Sequence, residues 1–359
     1  MPLFMPSENE ILDALKGVKY PGYSRDIVSF GIVKDVSVAN GAVSIAIHLT
    51  SANAEISGQI KSDCEEVIKA VDGVRLAHVQ VVQPTEGSPT QPGRPASDQA
   101  PQKTPGIARV IAVASGKGGV GKSTVSVNLA CALAKRGSSI GLLDCDIYGP
   151  SIPLMMGVNG RPSVTEGGEE KLVPLENHGV KLMSMGFLLQ DDQPVIWRGP
   201  MIMRTIQQFV MQVDWGELDY LLVDLPPGTG DAQLSLCQTV PLDGGVIVTT
   251  PQEASLGVVR KGIEMFRKVN VPIIGMIENM SYFIAPGGDR VEIFGYGGGQ
   301  DEAARQGVPF LGEVPLYTEI RKGGDNGVPV VVGESDSPPA EVFGQIAQQL
   351  EEKLAAPAE

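Results

Sequence analysis

Positive charge and aromatic rings are both in short supply in this 359-residue chain, with 28 Lys and Arg against 42 Asp and Glu and 5% aromatic residues. The resulting net charge of −14 and pI near 4.8 disfavour DNA and anionic lipid surfaces as partners, since both are themselves negative. No Lys/Arg patch suited to phosphodiesters is present. No apolar run is long enough to span a bilayer, so a soluble globular protein that binds neither membrane nor nucleic acid is expected. The first residues, Met-Pro-Leu-Phe-Met-Pro-Ser, carry neither a basic-plus-apolar signal nor an Arg-rich transit pattern, which makes the cytoplasm the expected location. Cysteine is sparse too. Cys64, Cys131, Cys145 and Cys237 are too widely scattered for a disulfide framework and read as reduced thiols. His48 and His78 lie in strand patterns without a partner at metal-ligand spacing.

The order of elements predicts two domains. Ser7-Glu8-Asn9-Glu10 is a capping-box pattern ahead of a short amphipathic helix through Ile11, Leu12, Leu15 and Val18. Asn40-Gly41 separates the alternating runs Val36/Val38 and Val43/Ile45/Ile47/Leu49, a hairpin signal. A helix over 54–71, with Cys64 on its apolar face, and a strand over 74–82 complete a small α+β domain over 1–83. The segment 84–106 is rich in Pro, Gly, Ser, Thr and Gln and buries too little to offset its ordering entropy, so it reads as a flexible linker. Residues 107–359 form the second domain.

That domain opens on the apolar run Val110-Ile111-Ala112-Val113-Ala114 followed by Gly116-Lys117-Gly118-Gly119-Val120-Gly121-Lys122-Ser123-Thr124. The pattern G-x-x-x-x-G-K-[ST] between a buried strand and a helix predicts a polyphosphate cradle. Its glycines let backbone N–H groups face phosphate oxygens, and the helix adds its positive end. Lys122 is placed to reach the outer phosphates, and the Ser123 hydroxyl to hold Mg²⁺. A second apolar strand, 219–224, ends in Asp224, a Walker B carboxylate for Mg²⁺, followed by the loop Pro226-Pro227-Gly228-Thr229-Gly230. Strand 246–249, helix 255–268 and strand 273–277 continue a βαβ rhythm, which predicts an α/β fold: a doubly wound, mostly parallel sheet preceded by the small α+β domain. The helix at 342–354 has an apolar stripe backed by Glu351 and Glu352, which suits packing on the core rather than a membrane surface.

Lys117, directly after the first motif glycine, makes the loop resemble the deviant Walker A of the MinD/ParA/nitrogenase-iron-protein class. The resemblance implies a homodimer closing around ATP, with Lys117 reaching the partner's nucleotide. It also implies roles for the Asp144-Cys145-Asp146 element, with Asp146 near the γ-phosphate and attacking water and Asp144 nearer the Mg²⁺ shell, and it implies that Asn279 contacts adenine. Four longer stretches, 143–151, 197–201, 224–231 and 277–282, closely resemble the Mrp/ApbC group of P-loop ATPases. That likeness covers essentially the whole chain. It implies slow ATP hydrolysis, a [4Fe–4S] cluster handed to apoproteins, and clients or iron–sulfur assembly proteins as partners.

One departure matters. Where the family carries Cys-Pro-x-Cys, this chain has Ala285 and Gly288, and Thr50-Ser51-Ala52-Asn53-Ala54 lacks the cysteine often found in the first domain. Neither side chain at 285 or 288 can coordinate iron. An ATP-dependent iron–sulfur carrier with altered ligands and an ATP-driven homodimeric switch that never touches iron both remain open. A third reading, a membrane- or DNA-positioning ATPase, is weakened by the charge.

Overall fold

The computed structural model describes residues 8–21, 25–39, 42–49, 54–71, 73–74, 76–82, 103–147, 149–165, 171–188 and 199–355. Contacts divide the chain into two compact units, Met1–Asp98 and Gln99–Glu359. The Ser7 cap, the Asn40-Gly41 turn, residues 50–53, residues 83–102 of the expected linker, Tyr148 and the Trp197-Arg198 pair lie outside the described residues.

In the first unit, α1 (Glu8–Leu15) buries Ile11 and Leu15 completely. Strands β1 (Val33–Ala39) and β2 (Ala42–His48) pair antiparallel with Val38 opposite Val43, the register that the flanking valines predict. Helix α2 (Ala54–Lys69) then crosses over to β3 (Leu76–Val82), which pairs parallel to β2, as a helical crossover requires. Ile45, Ile47, Ile60, Cys64 and Ile68 close a core of this unit's own.

The second unit begins with β4 (Ile107–Ser115), α3 (Lys122–Lys135), β5 (Ile140–Asp144) and the single turn α4 (Ile152–Met155). Residues 103–106, assigned above to the linker, belong to this unit. Thr104 is buried, and the Gly106 carbonyl accepts from Leu218 N–H. Next come a two-stranded pair, β6 (Ser163–Val164) with β7 (Leu172–Val173), and a hairpin of β8 (Leu175–Asn177) with β9 (Val180–Ser184). The chain continues through α5 (Gly199–Met211), β10 (Leu218–Asp224), α6 (Asp231–Thr239), β11 (Gly244–Thr249) and α7 (Glu253–Lys268). It ends with β12 (Ile273–Ile284), β13 (Arg290–Val291), α8 (Gly298–Gln306), β14 (Phe310–Leu316), α9 (Thr318–Asp325), α10 (Val330–Gly333) and α11 (Pro338–Ala355).

The nine-stranded sheet runs β13-β12-β11-β4-β10-β5-β9-β8, with β14 also on β12. Only the edge strands β13 and β8 pair antiparallel. The fully buried runs of β5 and β11 are what a parallel sheet covered on both faces demands. With this strand order, the right-handed rule for parallel crossovers puts α3 on one face and α6, α7 and α8 on the other. β4 is therefore the strand at which chain direction across the sheet reverses, and a ligand crevice opens beyond its carboxyl end.

One expectation is corrected in detail. The strand expected over 273–277 extends to Ile284, because β14 pairs along it from Met276 to Phe283 and β13 pairs with Phe283 and Ile284, so Asn279 lies within the strand rather than after it. The positions expected to carry cysteine form the turn joining β12 and β13: Ala285 N–H donates to Asp289 C=O and Gly288 N–H to Ala285 C=O, with Gly288 at φ +90°. Helix α11 packs against α3 and β14 through Phe343, Ile346, Ala347 and Leu350, so its apolar stripe is core. No helix among the described residues is long and apolar enough to cross a membrane.

Candidate nucleotide site

Residues 116–121 leave β4 and turn into α3, and two glycines make the turn possible. Gly119 and Gly121 sit at φ +80° and +79°, where a side chain is strained. Gly116 is glycine for another reason. A Cβ there would lie 2.9 Å from the backbone of Val258 and Val259 in α7, so the loop is packed directly onto that helix.

Neighbouring parallel strands put Asp224 of β10 and Asp144 of β5 side by side in register, each at its strand's carboxyl end. Lys122, in the first turn of α3, projects onto them. Its Nζ lies 2.5 Å from Asp224 Oδ2, with Lys122 at 6% and Asp224 at 0% side-chain exposure. Ser123 Oγ donates to the same Oδ2 at 2.7 Å, and Ser126 Oγ donates to Oδ1 at 2.5 Å. Sequence reasoning missed Ser126, although its position three residues beyond Ser123 puts both on one helical face.

Asp144 is buried and accepts from Asp146 N–H at 3.0 Å and Ser184 Oγ at 2.9 Å. Burial, and then the charge of Asp224, push its carboxyl up to about 7, against the pull of those two donors. Asp146 is half-buried in the loop after β5, where its Oδ1 accepts from Gly149 N–H. Cys145 between them is 1% exposed, and its thiol is pushed well above its usual range by burial and the neighbouring carboxylates. The loop 226–230 reaches the phosphate loop through Gly228 N–H, which donates to Ser115 C=O.

Lys117 is half-buried and donates to Gln252 Oε1 at 3.2 Å, a partner just before α7 that nothing in the sequence singled out. Asn279 Nδ2 donates to the Val120 carbonyl at 2.8 Å. Beside it lies a cavity of about 370 Å³ lined by Gly121, Thr124, Met155, Asn279, Met280 and Tyr317, among others. That apolar recess, opening next to a Gly-rich turn at a helix N-terminus, has the shape and chemistry for a heterocycle attached to phosphates.

The donor set at the mouth of α3 is hard oxygen, with Ser123 Oγ and Asp224 converging beside Asp144, which fits Mg²⁺. Thiolate chemistry has no such home. All four cysteines are buried, and burial raises Cys64, Cys131 and Cys237 to about 12. Among the described residues no group of three or more His, Cys, Asp or Glu is placed to hold a metal ion.

Known proteins resemble this chain in sequence and in fold. The family model described as NUBPL iron-transfer P-loop NTPase matches residues 106–351, and one described as iron-sulfur cluster assembly protein matches residues 8–81. The iron-sulfur cluster carrier protein of Synechocystis sp. is 46% identical over 98% of this chain and 98% of its own length. A nucleotide-binding protein from Archaeoglobus fulgidus, solved in complex with ADP, is 42% identical and superposes with a TM-score of 0.57 over 66% of this chain and 92% of its own. The cell division ATPase MinD of Pyrococcus furiosus shares the fold, with a TM-score of 0.52 at 24% identity over 68% of this chain and 99% of its own. From the loop geometry, the oxygen donors around Asp224 and these matches together, the chain belongs to the NUBPL iron-transfer P-loop NTPase family.

Proposed function

We propose that this protein binds and slowly hydrolyses Mg·ATP, and that the cycle of a homodimer drives delivery of iron–sulfur clusters to apoproteins. The observation that carries this reading is the convergence of Lys122, Ser123 and Ser126 on Asp224 at the mouth of the phosphate loop. In it, the loop N–H groups from Gly116 to Thr124 cradle the phosphates, Lys122 transfers its charge from Asp224 to the outer phosphates, and Asp146 orients the attacking water. Ser123, Asp224 and Asp144 would hold Mg²⁺, which when bound offsets negative charge on those phosphates. The small first unit and the ATPase unit, read as 1–83 and 107–359, act as separate domains of one carrier.

Lys117 acts across the dimer in this reading. Leaving Gln252 costs it one polar hydrogen bond, about 1 kcal/mol, which a phosphate contact more than offsets. Lys117→Ala is therefore expected to keep ATP affinity within about threefold while lowering ATP-dependent dimerisation and turnover at least about tenfold. Sedimentation with and without ATP, alongside phosphate release, checks this. Unchanged dimerisation and turnover would leave Lys117 a surface residue.

The cluster is cargo, and since Ala285 and Gly288 offer no donor atoms, a stable one would have to recruit Cys145 or Cys237, both buried, or thiolates from outside the chain. That observation also favours a second reading, an ATP-driven switch that recruits a protein partner without binding iron. Anaerobic reconstitution with iron and sulfide, followed by absorption and metal analysis, tests them. The isolated wild-type protein is expected to retain far less than one cluster per dimer. The Ala285→Cys/Gly288→Cys variant is expected to retain more, although Cys at Gly288 must adopt φ +90° and costs about 1 kcal/mol. Stoichiometric cluster binding by the wild type, surviving Cys145→Ser and Cys237→Ser, would overturn this account. Cluster transfer to an apoprotein by a supplied thiol-bearing partner, stimulated by ATP, separates the carrier from the switch.

A further inference from the structure

The carboxylate of Asp224 is gripped on both oxygens, and the two grips differ. Oδ2 accepts from Lys122 Nζ at 2.5 Å and from Ser123 Oγ at 2.7 Å, whereas the donor on Oδ1, among the described residues, is Ser126 Oγ at 2.5 Å. Ser126 is 0% exposed and stands four residues after Lys122 and three after Ser123, so all three share one face of α3. A hydroxyl inside a helix ordinarily bonds back to the carbonyl four residues earlier, and Lys122 C=O does lie 3.1 Å from Ser126 Oγ. The hydroxyl has a single hydrogen, and the charged acceptor at the shorter distance takes it.

Nothing within Asp224 fixes the plane of its carboxylate. The terminal torsion of an aspartate is broad and roughly two-fold, so outside donors set it. The sheet fixes only where the side chain starts: Asp224 stands in register with Val113 of β4 and Asp144 of β5, and its C=O accepts from Cys145 N–H at 3.0 Å. The orientation beyond that point belongs to Lys122, Ser123 and Ser126.

The donors on Oδ2 are temporary in the function proposed above, since Lys122 moves to the outer phosphates and Ser123 to the cation. Ser126 has no ligand to go to. It is fully buried one turn further along α3, away from the mouth of the loop. We propose that Ser126 is a positioning residue for the metal carboxylate, holding the plane of Asp224 through Oδ1 so that Oδ2 still faces the cation position once Lys122 and Ser123 have left it. The inference rests on the reading of this site as one for Mg·ATP, and the test keeps the two apart.

ATP binding is measured by calorimetry in excess Mg²⁺ and in EDTA for the wild type and Ser126→Ala. In Mg²⁺ the variant is expected to bind about five- to tenfold more weakly, because Asp224 then keeps a hydrogen bond from none of the three side chains. In EDTA, where Ser123 stays on Oδ2, the loss is expected to be less than about twofold. Should Ser126→Ala fail to fold, Ser126→Cys, close in volume but a weak donor, supplies the same comparison. A merely structural defect lowers the number of sites or weakens binding equally in both buffers. Either result would overturn the proposal, as would unchanged affinity in both. A wild type that binds ATP no more tightly with Mg²⁺ than without it would instead remove the Mg·ATP reading of the site.

Discussion

Lys122→Ala is expected to lower ATP turnover at least about 100-fold and, separately, to cost about 3–5 kcal/mol of folding stability. The first effect follows from removing the cation the loop presents to the outer phosphates. The second has a different source. Asp224 is fully buried, and its Oδ2 rests on Lys122 Nζ; without that charge it keeps only the hydroxyls of Ser123 and Ser126 beside a second carboxylate, Asp144. The two effects come apart in Lys122→Met/Asp224→Asn, which removes both charges from the site. That variant is expected to regain most of the stability by denaturant unfolding while remaining inactive. Lys122→Ala turning over ATP at the wild-type rate would show the site to be wrongly assigned. Equal instability of the single and double variants would remove the buried ion pair as the cause.

Asp144→Asn is expected to stabilise the protein in metal-free and nucleotide-free buffer, increasingly so as the pH rises. The carboxyl has an ordinary value of 3.8 and is raised to about 7 in the fold, so the folded state holds the proton more tightly than the unfolded chain does. Its favourable contribution is complete below pH 4 and lost as pH climbs toward 7, above which the fold contains a buried carboxylate next to Asp224. Asn keeps the volume and an acceptor for Asp146 N–H, and carries no charge. The two proteins should differ little near pH 4–5, and the variant should be more stable by about 2–4 kcal/mol at pH 8. Urea unfolding at both ends of the range measures the gap. A gap that narrows with rising pH contradicts the assignment. In the proposed function Asp144 would meet Mg²⁺, and a carboxylate that the fold disfavours in this way is the sort of instability that active sites retain.

The parts of the site legible in the sequence are those whose members are near one another along the chain. Gly116 to Thr124 is a contiguous loop, and Asp224 ends a run of apolar residues whose burial leaves little choice of structure. The role of Asp144 came from the family resemblance of the Asp144-Cys145-Asp146 element, and the residue ends a fully buried strand. Ser184 and Gln252 were not legible, because each meets its partner only after the sheet has formed, at 40 and 135 residues' separation. Periodicity gave the start of β12 but not its length, since the strand's upper part is set by pairing with β13 and β14 rather than by its own alternation. The role of Asn279 was read from a resemblance as contact with a base; its Nδ2 donates to the loop carbonyl of Val120, and its side chain also lines the adjoining recess. The helix over 342–354 was correctly read as core-packing because its polar side is acidic.

The contact at Gly116 has a mechanical consequence. With no room for even one carbon atom between the loop and the backbone at Val258–Val259, the loop cannot shift without carrying α7 along. About ten residues of that helix lie beyond the contact, an arm of about 15 Å, so a tilt of about 5° there moves its far end by about 1.3 Å. Arg260, the next residue after the contact, grips the buried carboxylate of Glu302 in α8 through two hydrogen bonds. Loop, α7 and α8 are therefore linked through one short stretch of α7, at residues 258–260.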